Sequence, residues 1–193
     1  MNPELQPVVF GHAFEALVKA LKDRVTPELR GELKKLGVDL AKVQAAYPMD
    51  TWVEVIRLTG EKLLPQLPPA ERTRQLGHLF MEGFVQTPLG LAVLAVAKLI
   101  GVKRTLQRMG RNFKQATNYL EADIAELGPK SVRIRTFTNE RYLPYTTDRT
   151  SFIAEYRQGL LEAVLTTLGA TGTVKLSASD FTRQDVTFEV SWS

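Results

Sequence analysis

The segment "KRTLQRMGRNFKQATNY" carries five basic residues and no acidic one. On a helix, Arg104, Arg108 and Arg111 would fall within about 60° of one another, with Lys103 and Lys114 along one edge. Arginines stacked in this way lack the glutamate four residues away that normally pairs with them. Because the guanidinium fork suits carboxylate and phosphate groups, this face predicts an anion-binding surface.

The sequence is compatible with several anions as the partner of this face. Glu121, Asp123 and Glu126 lie just downstream and would make it the solvated face of an ordinary helix. The alternatives are an acidic partner protein, an anionic small ligand or a lipid headgroup. Nucleic acid fits less well: residues 83–120 carry six basic and no acidic side chains, but the flanking segments are neutral and acidic.

The sequence contains no recognisable set of residues for catalysis or for metal binding. The absence of cysteine excludes disulfides, thiolate nucleophiles and cysteine-based metal sites. His12 and His78 stand in separate predicted helices, without the spacing of a zinc motif. There is neither a glycine-rich phosphate loop nor a G-x-S-x-G elbow. We therefore expect no metal and no enzymatic activity, and keep an enzyme of unrecognised type as an alternative.

Two further sets of side chains have an ordinary and a functional interpretation. Glu121 and Asp123 share one face of a predicted strand, where carboxylates more often meet solvent than perform acid–base chemistry. Five aromatic residues would either pack in the core or line a ligand cavity, and Trp52 is retained as a candidate ligand contact. These aromatic residues are Tyr47, Trp52, Phe80, Phe84 and Phe113.

Length and composition predict one globular domain. Its 193 residues are 44% apolar and 24% charged, with a net charge of +4. We expect a single domain over residues 1–193, mainly helical over 1–116. The N-terminus lacks a basic region before an apolar run, and the longest apolar stretch is too short for a membrane span. We expect a soluble cytoplasmic protein.

Helical spacing of apolar residues covers the first two thirds of the chain. Thr26-Pro27, Pro68-Pro69 and Thr87-Pro88 are start signals, and Asp50 or Thr51 is the expected N-cap of another helix. The last of these helices, over 99–114, would bury one continuous stripe opposite the arginines. The stripe consists of Leu99, Val102, Leu106, Met109 and Phe113. The predicted helices cover about 8–22, 27–35, 51–64, 69–84, 88–100 and 99–114.

The period changes after the basic run. "SVRIRTF" alternates, with Val132, Ile134 and Thr136 on one face, and pairs with "YLEADIAEL" through a Gly-Pro turn. A helix from about Ser151 to Leu168 follows, and "TVKLSAS" and "DVTFEVSW" are the closing strands. The order over 117–193 is thus β-β-α-β-β. The fold class is α+β, with an N-terminal helical layer on a four-stranded antiparallel sheet.

Several segments in fixed order resemble a myxobacterial paralogous family of unknown function. They are "VVFGHAFEALVKAL", "LKKLGVD" followed by "YPMDTW", "RQLGHLFMEGFVQTPLG" and "RMGRNF". The second half, through "YRQGLLEAVLTTLG" and "DFTRQDVTFEVSW", is similar to the superfamily of heme–nitric-oxide-binding domains, 4-vinyl-reductase domains and vesicle-tethering TRAPP subunits. That resemblance implies helices against a four-stranded antiparallel sheet.

The resemblance also implies a site. Relatives enclose a heme, an acyl chain or a small hydrophobic effector between helices and sheet. Heme-binding members hold the propionates with a Y-x-S-x-R signature, and "YTTDR" places Tyr145, Thr147 and Arg149 in similar spacing. The axial histidine expected one helix upstream is absent, since His78 lies far earlier, and the acylated cysteine of TRAPP subunits is absent too. We expect no cofactor, and in particular no heme.

The sequence therefore supports a non-enzymatic regulatory or scaffold domain that acts by protein–protein contact. An acidic partner surface, a small hydrophobic ligand and a homodimer are the expected partners, without a membrane span. The first alternative is an anion- or nucleic-acid-binding module that uses the basic helix, although nucleic acid is not favoured. The second alternative is an enzyme of unrecognised type.

Overall fold

The computed structural model describes residues 6–146 and 152–193, without the side chains of residues 23 and 110–112. The chain forms α-helices in its first part and a four-stranded sheet in its second part, as the sequence predicts. The elements are β1 (Val8–Phe10), α1 (Gly11–Leu21), α2 (Pro27–Lys35), β2 (Ala46–Pro48), α3 (Met49–Leu63), α4 (Pro69–Phe84), α5 (Pro88–Ala116), β3 (Leu120–Gly128), β4 (Ser131–Thr138), α6 (Phe152–Thr167), β5 (Gly172–Asp180) and β6 (Asp185–Trp192).

The four-stranded sheet is antiparallel throughout, in the order β3-β4-β6-β5. Alternation sets its two faces: Val132 and Ile134 are fully buried, while Arg133 and Arg135 point to solvent. On the exposed face Arg133 lies opposite Glu189, and their charged atoms are 3.1 Å apart. The predicted alternation of β4 is confirmed, and so is the α+β fold class.

The helices stack on the buried face of the sheet. Helix α6 contacts β5 and β6, α4 packs on α6, and α1 packs on the other side of α4. The C-terminal part of α5 covers β3 and β4. Burial of the apolar residues between these layers is the main favourable contribution to folding. The largest fully buried side chains include Phe14, Leu17, Leu76, Leu161 and Phe188.

Helices α4 and α6 touch through their backbones at two glycines. A Cβ atom added at Gly77 would lie 2.3 Å from the carbonyl oxygen of Tyr156, and one added at Gly159 would lie 1.9 Å from that of Arg74. Such approaches are shorter than any van der Waals contact, so only glycine fits at either position. The two glycines therefore determine how closely α4 and α6 pack.

Helix start signals are accurate where a threonine precedes a proline. The Thr26 hydroxyl accepts a hydrogen bond from the Leu29 amide at 3.1 Å, and α2 begins at Pro27 as predicted. The Thr87 hydroxyl accepts from the Gly90 amide at 3.0 Å and donates to the carbonyl oxygen of Phe84. The N-cap prediction for α3 is wrong, because Pro48 occupies that position rather than Asp50 or Thr51.

The reason for the displaced start of α3 is a short strand pair that the sequence does not predict. Strands β1 and β2 are antiparallel, with Val9 opposite Tyr47. The amide of Met49 donates to the carbonyl oxygen of Pro7 at 2.9 Å, so the backbone enters α3 directly from this ribbon. A three-residue strand offers too little alternation to be distinguished from a loop.

The stripe predicted over 99–114 is wrong at its first residue. Gly101 has φ 76° and ψ 172°, which breaks α5 into two parts with different orientations. Leu106, Met109 and Phe113 are buried as predicted, but Leu99 precedes the break and is 87% exposed. The Thr105 hydroxyl lies 2.9 Å from the carbonyl oxygen of Gly101 and 3.4 Å from that of Ala97, so its side chain can donate to a carbonyl on the N-terminal side of the break.

The glycine contact between α4 and α6 leads to a stability prediction. In Gly159→Ala the new methyl group would push α4 and α6 apart, and we expect the free energy of unfolding to fall by roughly 1–3 kcal/mol, as overpacking does. Urea unfolding followed by circular dichroism measures this value.

The matched control is Gly31→Ala in α2, where no heavy atom lies within 4 Å of the added Cβ. This substitution should raise the free energy of unfolding by about 0.5–1 kcal/mol, because alanine restricts the unfolded chain. Equal stability of Gly159→Ala and the wild type would contradict the proposed backbone contact.

Candidate ligand cavity and basic surface

An apolar cavity of about 130 Å³ lies among the helices. Helices α1, α4 and α6 form part of its wall, and both parts of α5 close it on either side of the break at Gly101. The side chains around it are almost all hydrocarbon or thioether. They include Ala13, Phe80, Met81, Phe84, Leu89, Val93, Leu94, Ala97, Met109, Phe113, Leu160, Val164 and Leu168.

The position of the cavity differs from the expectation drawn from the sequence. The resemblance implies a ligand between helices and sheet, but the sheet residues Val132, Ile134, Phe188 and Val190 are at most 1% exposed and are absent from the cavity wall. Side chains of α6 fill the space above the sheet, including Leu161. The cavity instead lies among α1, α4, α5 and α6, and no described strand residue lines it.

The five candidate aromatic residues divide between the cavity and the core. Phe80, Phe84 and Phe113 line the cavity. Tyr47 and Trp52 are buried in the core and do not reach the cavity wall. The sequence could not separate these two groups, because both have the hydrophobic spacing of a buried helix face or strand.

Trp52 belongs to an aromatic cluster. Its ring centroid lies 4.9 Å from that of Phe14, 5.9 Å from Phe80 and 6.2 Å from Tyr156, in edge-on arrangements. The Tyr156 hydroxyl is buried without a hydrogen-bond partner among the described residues. Burial raises the pKa of Tyr156 well above its ordinary value, so the hydroxyl stays protonated.

Few polar groups border the cavity. Among the lining residues these are the His12 ring, the amide of Gln115 and the hydroxyls of Thr105 and Thr167. The Thr105 hydroxyl is already bonded within α5. His12 is half-buried and stacks on Phe10, with 6.2 Å between ring centroids, and no described residue forms a hydrogen bond with its ring. His12 is therefore the polar group best placed to contact a ligand.

The described residues of the cavity do not fit a heme. His12, Met81 and Met109 are side chains of the types that ligate heme iron. Two propionate groups would also need donors, but the described part of the wall contains no lysine, arginine or tyrosine. A heme in this cavity would therefore have no lysine, arginine or tyrosine partner for its propionates among the described lining residues.

Of the three signature-like residues, the structure describes only Tyr145. Tyr145 ends a 3-10 helix over Glu140–Tyr145, is half-buried and does not line the cavity. Thr147 and Arg149 lie outside the described residues. Their role in ligand binding stays a prediction.

The basic residues of α5 divide into a paired and an unpaired set. Lys103 forms an ion pair with Glu126, and Lys114 lies 3.6 Å from Glu121. Arg104 and Arg108 are exposed, and neither forms an ion pair with a described residue. The side chain of Arg111 lies outside the described residues.

The acids downstream therefore pair with other cations and not with these two arginines. Asp123, the third acid that the sequence offered, lies 3.6 Å from Arg135 on the neighbouring strand. Exposed ion pairs of this kind contribute little to stability. Their consequence here is that the guanidinium groups of Arg104 and Arg108 stay available to an external anion.

A charged cluster that the sequence does not reveal joins α4 to α6. The Glu162 carboxylate accepts hydrogen bonds from Nε and Nη2 of Arg74, and its Oε2 lies 3.1 Å from His78 Nε2. Burial opposes ionisation of Glu162, but the hydrogen bonds from His78 and Arg74 outweigh it and lower the pKa of Glu162 below its ordinary value. Arg74 and His78 on α4 precede Glu162 on α6 by 88 and 84 positions, so no local sequence pattern indicates this cluster.

Arg157 is a second unpredicted feature. It is 5% exposed on the sheet-facing side of α6, and its Nη1 donates to the Thr136 hydroxyl at 2.8 Å. Its position three residues after Ala154 and four before Leu161, both buried, is the one signal in the sequence. A buried guanidinium that is hydrogen-bonded to the central strand fixes the rotation of α6 over the sheet.

Two classes of site are absent from the described residues. No group of three or more histidine, cysteine, aspartate or glutamate side chains could hold a metal ion there. No single described helix is long and apolar enough to cross a membrane; among the described residues, only α4 together with Pro88–Met109 of α5, at an angle of 93°, reaches that length and composition.

Solved structures with a similar fold are H-NOX domains. The chain is similar to an oxygen-binding H-NOX domain related to soluble guanylate cyclases, with 13% identity over 95% of this chain and 94% of that one and a TM-score of 0.66. It is also similar to an Fe(II) unliganded H-NOX variant from K. algicida, with 11% identity over 95% and 96% of the two chains and a TM-score of 0.61. At these identities the likeness establishes an H-NOX-like fold.

The family follows from the sequence comparison. Residues 7–193 match the family described as protein of unknown function (DUF2378), and the chain belongs to that family. A comparison with curated protein sequences finds no match. The H-NOX-like fold and a family of unknown function are both consistent with the resemblance seen in the sequence.

The Glu162 cluster leads to a prediction about pH. A carboxyl group whose pKa is lowered in the folded state stabilises the fold above its unfolded pKa of about 4.3, and this contribution is lost as the pH falls through the lower folded-state value. Glu162→Gln should therefore lower the free energy of unfolding at neutral pH, and the difference from the wild type should shrink below about pH 4.3. Urea unfolding at a series of pH values measures it.

Glu61→Gln is the control, since Glu61 forms an exposed pair with Arg57 at 2.8 Å. It should change the free energy of unfolding by less than about 1 kcal/mol. A difference between Glu162→Gln and the wild type that does not vary with pH would show that the charge of Glu162 is not what stabilises the contact.

Proposed function

We propose that this chain is a non-enzymatic regulatory domain that binds a small apolar molecule in the cavity between α1, α4, α5 and α6. The observation that carries the proposal is the cavity itself, about 130 Å³ with an almost wholly hydrocarbon wall. The wall leaves hydrocarbon surface accessible to solvent, and an apolar guest would remove that surface from water. A void of this size with few polar partners does not suit ordered water but suits an apolar guest.

The size and chemistry of the wall restrict the ligand. Pockets for drug-sized molecules have volumes of about 300–1,000 Å³, so this cavity suits a guest nearer to benzene in size. The wall offers no charged side chain among its described residues other than the titratable ring of His12. The ligand is thus a small, uncharged hydrocarbon-rich molecule that carries at most one hydrogen-bonding group, directed at His12.

A regulatory role fits the arrangement better than catalysis. The only described lining residue with acid–base chemistry is His12, and no aspartate, glutamate or lysine stands among the described lining residues to work with it. The cavity wall does include the two parts of α5, whose orientations differ because of Gly101. A guest that contacts both parts would stabilise one relative orientation of them, which is how ligand binding becomes a conformational signal.

Ala97→Leu is the direct test of the cavity. Ala97 is 5% exposed and lines the cavity, so the larger side chain should occupy the space of the guest. Wild-type protein should show a rise in thermal midpoint with dissolved benzene, because a ligand that binds only the native state stabilises it by mass action. We expect Ala97→Leu to lose most of this shift, as measured by differential scanning calorimetry.

Ala95→Leu provides the matched control, since Ala95 lies on the same helix but is exposed. It should keep the wild-type response to benzene. If neither the wild type nor Ala95→Leu responds, the cavity does not bind apolar molecules and the proposed function is wrong. Native mass spectrometry of the purified protein then identifies any guest acquired in cells.

Hemin addition distinguishes this proposal from heme binding. Since no described cavity residue can pair with the propionates, titration of purified protein with hemin should give no saturable one-to-one Soret band. His12→Ala should leave that spectrum unchanged. A saturable band that disappears in His12→Ala would contradict the assignment of an apolar guest and would indicate iron ligation by His12.

A further inference from the structure

The first part of α5, over residues 88–100, is apolar on two opposite sides. One side lines the cavity through Val93, Leu94 and Ala97. The other side is open to solvent: Leu99 is 87% exposed, and Leu91 is 57% exposed. A contiguous apolar surface left in water on a folded domain marks an interaction site.

We call this solvent-facing side the α5 seam. It consists of Leu91, Ala92, Ala95, Val96 and Leu99, all of which are exposed. The positions 92, 95 or 96, and 99 recur every three or four residues, which is the spacing of a narrow stripe that packs against one other helix. The two alanines in its middle allow a second helix to approach closely. The shape of the α5 seam therefore suits a helix as its partner.

The charges around the α5 seam determine what kind of helix it accepts. Lys98 lies at its edge beside Leu91, Arg104 and Arg108 follow in the second part of α5, and residues 83–120 contain no acidic side chain. A second copy of this chain, packed seam to seam, would bring these like charges together without any acid from this region to offset them. An acidic partner would instead pair with Arg104 and Arg108, which form no ion pair with a described residue.

We propose that the α5 seam docks an acidic amphipathic helix of another protein. The aliphatic face of that helix packs on Leu91, Val96 and Leu99, and its carboxylates meet Arg104 and Arg108. This mode is helix-to-helix recognition with charge complementarity, in which apolar burial supplies affinity and the charges select the partner. The proposal rests on the exposed side of α5 and not on ligand binding, so it stands or falls separately from the cavity.

A synthetic helix tests the proposal on the full-length protein. The probe is a fluorescent amphipathic peptide of about three heptads with leucine on one face and glutamate elsewhere. A second peptide of the same pattern has lysine in place of glutamate. In fluorescence anisotropy titrations the glutamate peptide should bind, with an affinity that falls at higher salt, and the lysine peptide should not.

Substitutions locate the binding surface. Leu99→Gln, at a residue whose exposure leaves folding unaffected, should raise the dissociation constant for the glutamate peptide by about tenfold, and Arg104→Glu with Arg108→Glu should do so too. The matched control is Arg30→Glu with Lys34→Glu on α2, two exposed residues that make the same change in charge away from α5. This control should bind like the wild type.

Each other outcome overturns the proposal. Absence of peptide binding, or equal weakening in the α2 control, would show that the α5 seam does not recognise an acidic helix. Binding to vesicles that contain phosphatidylserine, lost in Leu99→Gln while the peptide does not bind, would assign the surface to an anionic membrane. A dimer in light scattering that Leu99→Gln converts to a monomer would assign it to a second copy of the chain.

Discussion

The packing of this protein depends on the backbone contact of α4 with α6 at Gly77 and Gly159. A side chain at either glycine would overlap the carbonyl oxygen of the facing helix. Helix α4 makes a similar contact with α1 at Gly83, where an added Cβ would lie 1.9 Å from the carbonyl oxygen of Ala16. Three helices thus pack with their backbones in contact. Arg157 of α6 joins them to the sheet by its hydrogen bond to Thr136. Small residues at helix crossings, rather than large ones, set the layer spacing.

The cavity follows from the same packing. Where α1, α4 and α6 touch, their glycines and alanines leave no space, but Phe80, Phe84 and the apolar side of α5 diverge beyond that contact. Both parts of α5, on either side of the break at Gly101, contribute to its wall. A small void with a hydrocarbon wall costs little to keep where close packing elsewhere supplies the stability.

Much of this architecture can be predicted from the sequence because the signals are local. Threonine–proline pairs mark helix starts, and strict alternation marks β4 and β6. The predictions that fail all depend on contacts between residues distant in sequence or on the break in the helix at Gly101. Tertiary structure determines three of these features: the Glu162 cluster, the pairing of Lys103 with Glu126 and the position of the cavity. Helical periodicity places Leu99 in the core because it takes no account of the left-handed φ at Gly101.

The break at Gly101 has a further consequence for how α5 tolerates length changes. In an uninterrupted helix, removal of one residue would rotate everything beyond it by about 100° and turn core side chains outward. Here the residues on each side of Gly101 keep separate registers, since Leu106, Met109 and Phe113 are anchored in the core while Leu91 and Leu99 are not. A shift in the first part would change which residues face solvent and leave the second part in place. A length change before Gly101 would therefore alter which residues line the cavity, where Ala97 now lies, and would leave Leu106, Met109 and Phe113 in the core.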